Sequence, residues 1–169
     1  MIEEVKMQKF IKLVLVLLLV TSCSKAKKVK YDDLAVVNGD NVKAEYKVEL
    51  AQTHDEMQTG LMNRDSLKAN SGMLFALGAV EVPTAMWMKD TKIPLDMIFI
   101  DKDGDVYWIY ENAEPNSEKL IVPPYQAFAV LEVNAGDVKK YGITLGDHIK
   151  HSWFKQKNPF QPDSGASLD

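Results

Sequence analysis

Four ionisable residues could form a site: Arg64 just after a predicted helix, and Lys89, Asp96 and Glu132 within what otherwise reads as core strand. Asp96 lies inside the apolar run Leu95 to Ile100, and Glu132 inside Ala127 to Val133. A carboxylate turned inward needs a cation or hydrogen-bond donors, because an unpaired buried charge is strongly disfavoured. Arg64 is the chain's only arginine, and a guanidinium makes fixed two-pronged pairs with carboxylates. Two readings follow. One is a structural lock between Arg64 and a carboxylate, joining helix to sheet. The other is an anion- or polyol-binding pocket of Arg64, Lys89, Asp96 and Glu132. Asp96 and Glu132 could also act as the acid pair of a glycoside-hydrolysing enzyme, provided they lie about 5–10 Å apart in one cleft.

Six methionines fall between Met57 and Met97, and Met86-Trp87-Met88 draws notice because thioethers select Cu(I). His54, His148 and His151 could add ligands. Yet Met86 and Met88, two apart, would share one sheet face as ordinary core filling. No metal ligand set and no cofactor are therefore assigned, and a Cu(I)-binding protein stays a second alternative. Asp101-Lys102-Asp103-Gly104-Asp105 has its glycine too early for a calcium loop and fits an Asp-Gly turn. There is no Gly-x-Ser-x-Gly elbow and no His-Glu-x-x-His pattern, so no catalytic residue is assigned.

The elements that would position these residues are mostly strands. Val42, Ala44, Tyr46, Val48 and Leu50 alternate with Lys43, Glu45, Lys47 and Glu49. Asn38-Gly39 suits a turn from a short run at Ala35 to Val37. Thr53-His54-Asp55-Glu56 is a capping box, with Met57 and Leu61 at helical spacing, so a short helix is expected to end near Asn63. Strands are expected at Gly72 to Leu77, Ala85 to Met88, Leu95 to Ile100, Val106 to Tyr110, Ala127 to Val133 and Ile149 to Phe154. The polar stretch Lys89 to Asp96 would then be a hairpin turn bringing Lys89 near Asp96. A helical turn over Asp137 to Tyr141 should stop at Gly142. Many short strands and one or two short helices predict a mostly β domain, an antiparallel sandwich or barrel.

The ends bound where the protein works. Lys9 and Lys12 precede the apolar run Leu13 to Val20, which is shorter than the ~20 residues a spanning helix needs. It fits a secretory signal over residues 1–22. Glu3 and Glu4 are unusual there and point to translation from Met7. Val20-Thr21-Ser22-Cys23 resembles the bacterial lipobox, which implies cleavage before Cys23 and lipidation of its thiol. Ser24, rather than Asp, favours the outer membrane by resemblance to enterobacterial lipoproteins. Residues 23–33 read as the lipidated cysteine and a basic tether, 34–154 as one β-rich domain, and 155–169 as a disordered tail. A formal net charge of −4 offers no footprint for nucleic acid.

Across the domain the chain resembles the family called domain of unknown function 192. The resemblance rests on Val48-Glu49-Leu50-Ala51, Glu56, Gly60-Leu61-Met62 with Arg64, and Gly72-Met73-Leu74-Phe75. It continues through Trp87-Met88-Lys89, Thr91, Ile93-Pro94-Leu95-Asp96, Ile98-Phe99, Leu131-Glu132-Val133 with Gly136, then Gly142 and Gly146-Asp147. Asp90 departs from the family's usual Asn and adds a negative charge beside Lys89. The resemblance implies a jelly-roll-like sandwich and no established activity. The expectation is a membrane-anchored lipoprotein of the bacterial cell envelope, facing the periplasm. It would act as a non-catalytic binding or assembly module for an envelope ligand or protein partner, with an envelope carbohydrate enzyme as the alternative.

Overall fold

The computed structural model describes residues 29–79 and 83–155. The expected signal peptide, Cys23 and the first part of the tether lie outside the described residues, as does the tail after Lys155.

The alternating stretch becomes β2 (Asn41–Ala51), with Ala44, Tyr46 and Val48 buried and Glu45 and Lys47 exposed. It forms a hairpin with β1 (Tyr31–Asn38) through Gly39, whose φ of +58° suits a residue without Cβ. β1 therefore begins inside the stretch that composition assigned to the tether. After β2, Thr53 and Glu56 form the capping box, and α1 (His54–Thr59) stops at Gly60. The chain continues as β3 (Ser71–Ala76), β4 (Leu95–Ile100), β5 (Val106–Ala113) and β6 (Ala129–Asn134). It ends with α2 (Asp137–Tyr141), β7 (His148–Lys150) and a 3-10 turn over Ser152–Lys155.

The strands form one sheet in the order β5-β4-β6-β3-β2-β1-β7. The domain is mostly β with two short helices, as expected. Pairing is antiparallel at every strand pair but one. β2 and β3 are parallel, because α1 and the segment after it carry the chain across before β3 begins. The sheet does not close into a barrel. Its two edge strands meet at a single bridge, Asp105 to His148. Ala85 to Met88 is not a strand either. Met86 makes one isolated bridge to Ile121, so Lys89 to Asp96 is not a hairpin turn.

Each sheet face carries its own apolar core. Tyr46, Val48, Leu74, Ile98, Leu131 and Val133 lie in one cluster. Ala51, Met73, Phe75, Met97, Phe99 and Val130 lie in the other, covered by Leu61, Met88 and Ile93 from the connecting segments. Strand alternation then assigns every intervening polar residue to a face.

Candidate functional site

Arg64 does not reach Asp96 or Glu132. Its guanidinium holds Glu49 in a two-pronged pair, through Nη1 to Oε1 and through Nη2 to Oε2 at 2.8 Å. Glu49 is only 8% exposed, and its hydrogen bonds to Arg64 hold the guanidinium's pKa above the usual arginine value. The pair walls a cleft of about 450 Å³ between the end of β2, α1 and β3. Ala51, Asp55, Gly60 and Met73 are among its other lining residues, with Val29 and Lys30 from the segment before β1. Sequence reasoning missed Glu49 by placing it on the solvent side of the alternation. The signal was weak: β2 buries Val48, Glu49 and Ala51 in its last four residues because α1 and the Arg64 segment cover its second face.

Arg64 and Lys89 are brought together at the level of their segments. The Asn63 amide donates to the Asp90 carbonyl at 2.7 Å, stitching the Arg64 segment to the turn Met88 to Thr91. Lys89 itself is half-buried, with its Nζ 5.3 Å from the centre of the Trp87 ring. Trp87 is 42% exposed, so this pair forms part of the outer surface.

Asp96 and Glu132 are not a pair. β4 and β6 align Asp96 with Val133 and Met97 with Glu132, and residues in register share a face. Asp96 therefore points into the first core, and Glu132 into the second. Asp96 has no exposed surface, and both its oxygens are occupied. Oδ1 accepts from the Asn112 amide at 2.8 Å; Oδ2 accepts from the amides of Gly136 at 2.9 Å and Val138 at 3.0 Å. It fixes the bulge that shifts the β4–β5 register and caps the first turn of α2, where Gly136 offers no side chain. Two sealed faces cannot make one hydrolytic cleft, and the geometry leaves the carbohydrate-enzyme alternative without its acid pair.

Glu132 is the residue without a structural duty. It is 4% exposed and, among the described residues, its carboxyl makes no hydrogen bond and no ion pair. Burial pushes its pKa up to about 8, so the neutral acid is the form that sits in this core at neutral pH. It stands in a row that crosses five strands on one face: Glu49, Met73, Glu132, Met97 and Tyr110. Met73 belongs both to this row and to the lining of the cleft.

The other candidates fall into place as structure. Met88 is 1% exposed within the second core, and Met86 packs against it. Asp101 Oδ1 accepts from the amides of Asp103 and Asp105, both at 2.9 Å, which is the Asp-Gly turn. His148 pairs with Asp105 at 2.8 Å, and burial lowers the pKa of His151. Among the described residues no group of three or more His, Cys, Asp or Glu could hold a metal ion.

A family model described as an uncharacterized ACR, domain of unknown function 192, matches residues 35–151. No curated protein matches. Crystal structures similar to this chain include the following two. One is a candidate transcription regulator from Sinorhizobium meliloti 1021, 35% identical, covering 76% of this chain and 98% of its own, with a TM-score of 0.70. The other is a protein of unknown function from Novosphingobium aromaticivorans DSM 12444, 32% identical, covering 75% of this chain and 89% of its own, with a TM-score of 0.68.

Proposed function

The chain belongs to the uncharacterised domain-of-unknown-function-192 family, and from that premise we propose that it is a non-catalytic binding module of the bacterial cell envelope. The observation that carries this reading is the cleft of about 450 Å³ walled by the Arg64–Glu49 pair. Its volume falls within the range of small-ligand sites, ~300–1,000 Å³. Its central polar pair, Arg64 and Glu49, is held in place by mutual hydrogen bonds. The separation of Asp96 from Glu132 favours binding over hydrolysis. A regulatory role on DNA, by analogy with the Sinorhizobium relative, lacks support from a chain of net charge −4 whose cleft is lined by more acids than bases.

The anchor completes the proposal. Lipidation of Cys23 would tether the domain at the periplasmic side of a membrane, the outer one by the Ser24 criterion. Val29 and Lys30 line the cleft six and seven residues after Cys23, so the cleft would stand within about 25 Å of the membrane, at ~3.5 Å per residue. Palmitate labelling and membrane fractionation of Cys23→Ala test the anchor; a variant that stays lipid-labelled and membrane-bound refutes it. Thermal melting against metal ions, glycans and organic anions tests the cleft. A ligand at 100 times its Kd adds ~2.7 kcal/mol. That shift should vanish in Arg64→Lys or Glu49→Gln. A ligand whose shift survives both variants binds elsewhere and removes the cleft from the reading.

A further inference from the structure

The register of three strands sets two thioethers on either side of an unpartnered carboxyl. Met73 on β3 and Met97 on β4 are each directly aligned with Glu132 on β6. Directly opposed side chains start ~5 Å apart, and a methionine's flexible chain can bring its sulfur over its neighbour. Met73 is 5% exposed, Met97 has no exposed surface, and both belong to the second core. Glu132 breaks that core's chemistry. It is the row's one acid without a counter-charge, since Glu49 at the row's far end is held by Arg64.

We propose that Met73 and Met97, through their thioether sulfurs, and Glu132, through its carboxylate, bind one soft monovalent cation, Cu(I) or the chemically similar Ag(I), entering from the cleft. This rests on reading the cleft as a binding site. Three arguments select the class. Thioethers prefer soft d10 cations and give little to hard ones such as calcium or magnesium. One carboxylate neutralises a single positive charge, so the loaded site is electrically neutral and can stay buried. A divalent ion would leave an uncompensated charge in the same core. The entrance also suits a cation. Asp32, Glu49, Asp55 and Glu56 line the cleft against Lys30 and Arg64, and Met73 forms the wall that faces Glu132.

Loading exchanges one ion for another: the cation enters and the proton of the neutral Glu132 acid leaves. No electron is transferred. The charged and titratable groups across the row are Glu49, already paired with Arg64, and Tyr110 beyond Met97, while Lys30, Asp32, Asp55 and Glu56 stand at the entrance; Glu132 is the proposed ligand whose proton the cation displaces. Apparent affinity should therefore rise about tenfold per pH unit below the Glu132 pKa. Met86 and Met88 are not part of the site. Their backbones are fixed to Ile121 and Ser117, and Met88 fills the apolar interior.

The test uses the full chain, purified in detergent and labelled with ¹³C at its methionine methyls. One equivalent of Ag(I) should shift two methyl signals, which disappear from the spectra of Met73→Leu and Met97→Leu respectively. Cu(I) affinity is read by competition with bicinchoninate. Each leucine variant and Glu132→Gln should weaken binding at least tenfold, while Met86→Leu binds like the parent. Glu132→Gln should also lose the pH dependence, which a merely structural role would not remove. Gln mimics the neutral acid in size and charge, so this variant keeps the fold. Non-saturating binding, shifts confined to other methionines, or unchanged affinity in Glu132→Gln overturns the assignment. If Cu(I) and Ag(I) fail while another ligand still gives a melting shift abolished by Arg64→Lys, the cation is wrong and the cleft survives. If no ligand gives such a shift, both fall.

Discussion

Asp96→Asn is the substitution that most sharply separates a structural carboxylate from a ligand-binding one. The carboxylate accepts three backbone amides, two on Oδ2 and one on Oδ1. An asparagine can keep only one oxygen. Its best orientation places that oxygen where Oδ2 was and turns its NH2 toward the Asn112 amide, donor against donor. The loss is one charge-assisted hydrogen bond, ~1.5–3 kcal/mol, plus a buried amide left without an acceptor, ~1–3 kcal/mol. The two amides that remain bonded also lose the charge on their acceptor. The expected cost is about 3–5 kcal/mol, a large part of the ~5–15 kcal/mol that holds a typical domain together. Asp96→Ala should cost more, since it frees all three amides and opens a cavity. Equilibrium urea unfolding followed by tryptophan fluorescence reads both values. The changes should be confined to the midpoint, with the slope unaltered. A cost below ~1 kcal/mol for Asp96→Asn would refute the lock and return Asp96 to the list of ligand-binding groups.

Three further outcomes follow from the same geometry. Glu132 has its pKa raised to about 8 in the folded chain against 4.5 for the free side chain, so its contribution is complete below pH ~4.5 and is lost as pH rises through ~8. That loss is on the order of 4–5 kcal/mol. Glu132→Gln should therefore match the parent near pH 5 and be the more stable protein at pH 8.5; parallel urea curves at the two pH values would refute it. Gly72→Ala would put a Cβ 2.5 Å from the Glu132 carbonyl oxygen, so β3 and β6 must separate, at a cost of about 1–3 kcal/mol in the same unfolding assay. Lys43→Met removes the ammonium that bonds Asp147 Oδ2 at 2.7 Å. Burial alone would raise the Asp147 pKa, but Lys43, Asn38 and the Thr144 amide outweigh it and hold it below the usual value. The stabilisation is present above the unfolded pKa and lost as pH falls through the folded one. The variant should be ~2–4 kcal/mol less stable at pH 7, and its acid unfolding, followed by circular dichroism, should begin at a higher pH.

The fold was legible wherever its cause was local. Alternation found β2, the capping box found α1, and Gly142 marked the end of α2, because each depends on residues within one or two turns of each other. The parallel pairing of β2 with β3 had no such signal. It follows from where the 19-residue connection between Ala51 and Ser71 crosses the sheet, a tertiary event. Val42 shows the limit even of a clean pattern. It has the apolar phase of its strand but is 51% exposed, because it lies at the hairpin end, beyond the reach of the core.

The candidate site failed in the sequence for a reason that can be stated in one register. Alternation turns Asp96 away from Leu95 and Met97 on β4, and Glu132 away from Leu131 and Val133 on β6. That much is local to each strand. Whether the two acids share a face depends on how β4 aligns with β6. The observed pairing of Asp96 with Val133 differs by a single residue from the one that would have set them side by side. A one-residue slip exchanges every side chain between faces, and nothing local to either strand forbids it. What forbids it is the rest of the sheet. Slipping β6 would carry Leu131 and Val133 out of the first core and pull the Gly136 and Val138 amides from Asp96. The carboxylate that looked like a reagent is thus part of what fixes the register, and it leaves Glu132 alone among methionines on the other face. Solvation cannot explain a buried acid with no partner, and the fold does not use it. A function that supplies a cation there does explain it, which is why Glu132, and not Asp96, is the residue to test for binding.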